Sequence, residues 1–173
     1  MPAATASQTI GPYWHLLEDK GWADLTRFGA KGERMRLIGT ISDGDGAAVT
    51  DACVELWQSD PPASPEFQGF GRCGTDIEGN FHFVTLKPGP VPGRGNQQQA
   101  PHFALTIFAR GLLRHVVTRA YLEGETLNDS DPLLASIEDP QRRATLVAKR
   151  VDPETWRLDI RLQGEGETVF LDV

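Results

Sequence analysis

Apolar residues recur at every second position in short runs along this chain, and clusters of turn-forming residues separate the runs. Residues 35–41 are rich in apolar side chains and stop at Asp43-Gly44-Asp45-Gly46, a strong turn signal. Residues 52–57 set Cys53, Glu55 and Trp57 against Ala52, Val54 and Leu56, the signature of a strand with two unlike faces. After the turn Asp76-Ile77-Glu78-Gly79, residues 80–86 place Phe81, Phe83 and Thr85 on one side. Residues 103–109 and 115–122 are further β-type runs, with Arg110-Gly111 between them to reverse the chain. The cleanest alternation is Trp156, Leu158, Ile160 and Leu162 against Arg157, Asp159 and Arg161. Gly164-Glu165-Gly166-Glu167 then turns into a last strand at 168–173. A single helical segment is expected behind the N-cap Asp139 and Pro140, running over 141–149. The pattern predicts an all-β domain at 34–173, a two-sheet β-sandwich of six to eight strands. Residues 1–33 lack alternation and form an N-terminal arm with room for a short helix. Its aromatic residues Tyr13, Trp14 and Trp22 are costly to leave in water, so the arm should lie on its own domain or on a partner.

Composition sharpens this picture in two ways. The 173 residues suit one domain that folds without disulfides, and 18 Gly with 12 Pro favour many turns over long helices. A net charge of −7 with dispersed arginines excludes the basic footprint of a nucleic-acid or anionic-membrane protein. Residues 1–8 have neither the charged nor the apolar part of an export signal, and no window reaches the length of a membrane span, so the expected location is the cytoplasm.

Candidate chemistry is sparse. Four His, two Tyr and two Cys are available as metal ligands besides carboxylates, and no two histidines stand in a close pair. Cys53 and Cys73 lack metal spacing and read as buried thiols. His102 lies near the Pro-rich turn at 88–92 and the loop at 93–99, and a lone histidine opening a strand reads as a hydrogen-bonded structural residue, as do His15, His82 and His115. No Gly-x-Ser-x-Gly elbow or phosphate-binding loop is present, and Gly69-Phe70-Gly71 matches no motif. Arg110 emerges at the end of an apolar strand, where a guanidinium can either join a surface ion pair or fork onto a ligand carboxylate. Spacing alone leaves the function open.

The segments Ser7-Gln8-Thr9-Ile10-Gly11-Pro12-Tyr13, Glu55-Leu56-Trp57-Gln58, Lys87-Pro88-Gly89, Ala100-Pro101-His102, Phe108-Ala109-Arg110-Gly111, Pro140-Gln141-Arg142-Arg143 and Gln163-Gly164-Glu165-Gly166-Glu167-Thr168-Val169-Phe170 run nearly end to end. In that order and spacing, the chain resembles the intradiol ring-cleaving dioxygenases, and among them the alpha chains of the two-subunit members. The resemblance implies a β-sandwich and an alpha–beta assembly with each active site at the interface. The family's iron-binding segment carries Tyr where Pro88-Gly89-Pro90-Val91 ends in Val91 and His at Ala104, and an Arg where this chain has Gln99. It therefore implies that this chain supplies no metal ligand and no catalytic residue, and that Fe(III) belongs to a beta chain. It further implies that Gly11, Pro12, Tyr13 and Arg110 line the pocket in which O2 cleaves protocatechuate (3,4-dihydroxybenzoate) to 3-carboxy-cis,cis-muconate. Two alternatives stay open at this point: a non-catalytic, transthyretin-like binding module, and a self-sufficient dioxygenase using His102 with carboxylates.

Overall fold

Where side chains alternate in sequence, burial alternates in space. In the computed structural model, which describes residues 9–11 and 13–172, strand β1 (Arg34–Ser42) buries Met35, Leu37 and Ile41, β2 (Cys53–Trp57) buries Val54 and Leu56, and β3 (Phe70–Gly74) buries Cys73. Strand β4 (Asn80–Leu86) turns Phe81, Phe83 and Thr85 inward, as its alternation requires. A two-stranded ribbon, β5 (Val91–Pro92) with β6 (Gln98–Gln99), leads into β7 (His102–Phe108) and β8 (Val116–Leu122). Two one-turn helices, α1 (Pro132–Ser136) and α2 (Pro140–Ala144), precede β9 (Val147–Asp152), β10 (Thr155–Arg157) and β11 (Ile160–Arg161). Short 3-10 turns occupy Trp14–Leu16, Lys20–Ala23 and Thr126–Ser130.

The expected two-sheet sandwich does not form. The ladder runs without a break through β4, β1, β10, β9, β8, β7, β2 and β3, with β11 continuing β10 along β1, so that nine strands belong to one mixed sheet. Its two end strands, β3 and β4, lie beside each other, and the sheet nearly closes into a barrel around Leu37, Leu56, Phe83, Phe103, Leu105 and Trp156. The reason is β9. Residues 147–149, expected in the helix, instead pair in parallel with β8 and antiparallel with β10, and this one strand joins what would have been two sheets.

Local chemistry explains where the elements stop. Asp139 caps α2 through the Gln141 amide at 2.8 Å, as expected, but Thr145 turns its hydroxyl back onto Arg142 O at 2.7 Å and accepts the Val169 amide at 3.1 Å. The helix ends there, and the β-branched residues of 147–152 join the sheet. The alternating run at 156–162 is two strands, because Asp159 Oδ1 takes the Thr40 amide at 3.0 Å and the Thr40 hydroxyl at 2.8 Å in place of a ladder bond. Among its described residues, 168–172, the last predicted strand reduces to a single bridge between Leu171 and Val117, and Val173 lies outside the described residues. Among the described residues, no helix is long and apolar enough to cross a membrane.

Candidate functional site

Strand β7 organises two separate candidate regions, one at each of its ends. Phe103, Leu105 and Ile107 enter the core, so His102 and Ala104 face outward. The register sets Tyr121 opposite His102 and Arg119 opposite Ala104, while the β5–β6 ribbon brings Val91 and Gln99 alongside. His102, Ala104, Arg119, Val91 and Gln99 line an open cleft of about 560 Å³ with Ser59, Asp60 and proline walls, and Tyr121 is buried.

Under the cleft lies a connected polar chain. Arg119 Nη1 donates to Gln99 Oε1 at 2.7 Å and to the Tyr121 hydroxyl at 2.9 Å. Tyr121 in turn donates to Asp131 Oδ1 at 2.9 Å, and the fully buried Asp131 also accepts the amides of Ala100, Leu133 and Leu134 at 2.8–3.1 Å. Burial pushes the Tyr121 phenol well above its ordinary pKa, which keeps the hydroxyl a donor. His102 Nδ1 sits 2.7 Å from Ala100 O and donates to it. Burial lowers its pKa against the pull of that carbonyl, and the nearby Arg119 lowers it further, so His102 is neutral at pH 7.

An intradiol-type ferric ion does not fit this cleft. Val91 and Ala104 bring no donor atom, and the Nδ1 of His102 is spent on a carbonyl, which leaves one imidazole nitrogen facing the opening. Among the described residues, no group of three or more His, Cys, Asp or Glu side chains could hold a metal ion.

The residues expected to line a substrate pocket lie at the other end of β7, a strand about 20 Å long at ~3.3 Å per residue. The Arg110 guanidinium pairs with Asp51, so the ion pair anticipated as one reading of this residue exists. The N-terminal segment passes the same rim. Thr9 donates to Ala109 O at 3.3 Å, and the Trp14 indole donates to Asp51 O at 3.2 Å. Gly11 adopts φ +78°, a left-handed conformation that suits glycine, and nothing occupies the space where a Cβ would stand. Tyr13 is 72% exposed, and Leu16 and Leu17 beside it are 70% and 88% exposed. Pro12 lies outside the described residues. Gly11, Tyr13 and Arg110 thus belong to one neighbourhood, with a groove of about 370 Å³ beside it lined by Ile10, Trp14, Cys53 and Phe108.

Sequence reasoning missed Arg119, Tyr121 and Asp131. Arg119 carried a usable signal, being the single charge inside the otherwise apolar or neutral run Val116–Leu122. Asp131 followed by Pro132 had the form of an N-cap, which its bonds to the Leu133 and Leu134 amides realise.

The Dioxygenase family matches residues 12–164. This chain belongs to the dioxygenase family. A protocatechuate 3,4-dioxygenase alpha chain from Pseudomonas putida is 42% identical over 97% of this chain and 96% of its own length. A protocatechuate 3,4-dioxygenase beta chain from Burkholderia cepacia is 28% identical over 94% of this chain and 77% of its own. A solved dioxygenase domain from Streptomyces sp. SirexAA-E superposes with a TM-score of 0.66 at 23% identity, covering 94% of this chain and 99% of that one, which is a likeness of fold. This member of the dioxygenase family therefore lies nearer the alpha chain than the beta chain, in identity and in the share of the relative's length that it covers.

Proposed function

We propose that this chain is the alpha subunit of a protocatechuate 3,4-dioxygenase, an intradiol oxidoreductase, and acts in the cytoplasm with an iron-bearing beta chain. End-to-end similarity to an alpha chain carries the reading. The cleft supports it, because the positions that would need Tyr and His hold Val91 and Ala104. The reaction is opening of the protocatechuate ring by O2 between its two hydroxyl-bearing carbons, giving 3-carboxy-cis,cis-muconate. The metal and the catalytic groups belong to the beta chain.

In this reading, the arm at residues 1–33 and the domain at 34–173 meet the beta chain through the Arg110 rim. Gly11 and Pro12 offer a flat aromatic ring a backbone with little side chain, Tyr13 offers a wall, and Arg110 offers a positive group to a benzoate in an otherwise acidic subunit. Arg110 already shares one edge with Asp51, so a substrate carboxylate takes the remaining N–H groups. The exposed Tyr13, Leu16, Leu17 and Leu113 supply the apolar part of that contact.

Iron analysis tests the assignment. The expected result is no stoichiometric iron in this chain alone, and about one iron per alpha–beta pair on co-expression, with O2 uptake on protocatechuate. Stoichiometric iron in the isolated chain would refute it, as would co-expression yielding no complex.

A further inference from the structure

We propose that the cleft between β7 and the β5–β6 ribbon binds a small aromatic carboxylate, with Arg119 of this chain as its anchor. The site consists of residues of this chain alone, so the inference does not rest on the subunit assignment.

Three observations carry it. First, Arg119 faces the cleft half-buried, and among the described residues no carboxylate lies within ion-pair distance of it. Its Nη1 is fixed by Gln99 and Tyr121, while no described residue accepts from Nε or Nη2, which leaves three N–H donors on two nitrogens held in one orientation. A guanidinium so positioned and short of a counter-charge is a preorganised receptor for a forked anion. Second, Tyr121 and buried Asp131 brace Arg119 from below, so the anchor loses little freedom when a ligand arrives.

Third, the remaining walls fit an apolar, flat body. Pro62, Pro90, Val91, Pro92 and Ala104 line the opening, and a volume of about 560 Å³ holds a benzoate with room for water. Asp60, the acid of the lining, has one carboxylate oxygen engaged within the chain: its Oδ1 accepts the Gly89 amide at 2.8 Å. His102 stands beside the opening with its ring 5.3 Å from that of Tyr121, adding an aromatic surface for stacking. A purely inorganic anion would use Arg119 and leave these walls wet.

The test is a count of bound 4-fluorobenzoate by 19F NMR on the full-length chain in whatever assembly it purifies. Arg119→Met should bind one molecule fewer per copy of this chain than the wild type. Ala104→Phe, which fills the cleft and keeps the arginine, should lose the same molecule. Neutral 4-fluorobenzamide should not compete at tenfold excess. An unchanged count in either folded variant, or equal competition by the amide, overturns the proposal. The comparison is a difference within one chain, so a failed subunit assignment would leave its outcome readable.

Discussion

Asp131→Ala should be among the most damaging single substitutions in this chain, although no residue of the expected substrate rim is touched. The carboxylate is fully buried and accepts four donors, two at the start of α1 and one each from Ala100 N and the Tyr121 hydroxyl. Loss of the cap costs about 1 kcal/mol. Two further buried donors then lack a partner, at about 1–3 kcal/mol each. The expected total is about 4 kcal/mol, which for a domain of this size lowers Tm by about 8–16 °C. Thermal unfolding followed by circular dichroism, at fixed protein and partner concentration, measures it. Tyr121→Phe alone should cost about 1–2 kcal/mol. The double variant should cost less than the sum by about 1 kcal/mol, because the hydroxyl that Asp131→Ala strands is then absent. A fall in Tm under about 3 °C for Asp131→Ala, or strict additivity in the double variant, would refute this account of the network.

Arg110→Ala in the assembled enzyme should raise KM for protocatechuate about tenfold, the size of one charge-assisted hydrogen bond, with a smaller change in kcat; an unchanged KM at low salt counts against the rim assignment. Gly39→Ala should destabilise by more than about 2 kcal/mol, because a Cβ there would stand 1.9 Å from Leu158 O and 2.8 Å from the Phe81 ring; a chemical-denaturation midpoint equal to wild type would contradict the close approach. At Asp159, burial raises the pKa but hydrogen bonds from Arg157 and Thr40 outweigh it, so the folded value lies below the unfolded one. Its stabilising contribution is therefore complete above the unfolded value of about 3.9 and is lost as pH falls through the folded value, and Asp159→Asn should flatten that acid limb of the stability profile. Burial pushes the Cys53 thiol up to about 12, so iodoacetamide at pH 8 should label it only after denaturation; labelling within minutes in the native protein would argue against its burial.

The strands were legible wherever one face is core and the other is water. The run 80–86 was read to its true ends because Phe81, Phe83 and Thr85 are all driven inward. Strand β3 escaped notice because Gly71 and Gly74 remove side chains from the pattern: Trp22 O and Leu25 press on Gly71, and the tip of Trp14 presses on Gly74. The helix that became β9 shows a different limit. Asp139-Pro140 marks where a helix begins, but its end was set by a hydroxyl of Thr145 bonding residues 24 positions away, which no local window contains. The sheet count failed for the same reason, since closure depends on β9 pairing on both edges. At the candidate site, the departures at Val91, Gln99 and Ala104 could be read from the resemblance, whereas the Arg119–Tyr121–Asp131 chain depends on strand register and emerges only in three dimensions.

The pairing of β1 also bears on how the chain is made. Its bond to β4 can form once residue 86 has left the ribosome, but its other edge is completed only by residues 155–161. For the synthesis of some 70 intervening residues, a nine-residue strand with Met35, Leu37 and Ile41 on one face presents open N–H and C=O groups to any other extended chain. Nascent-chain truncations ending between 90 and 150 should therefore aggregate or hold chaperone, and that liability should vanish sharply, not gradually, as translation passes residue 161.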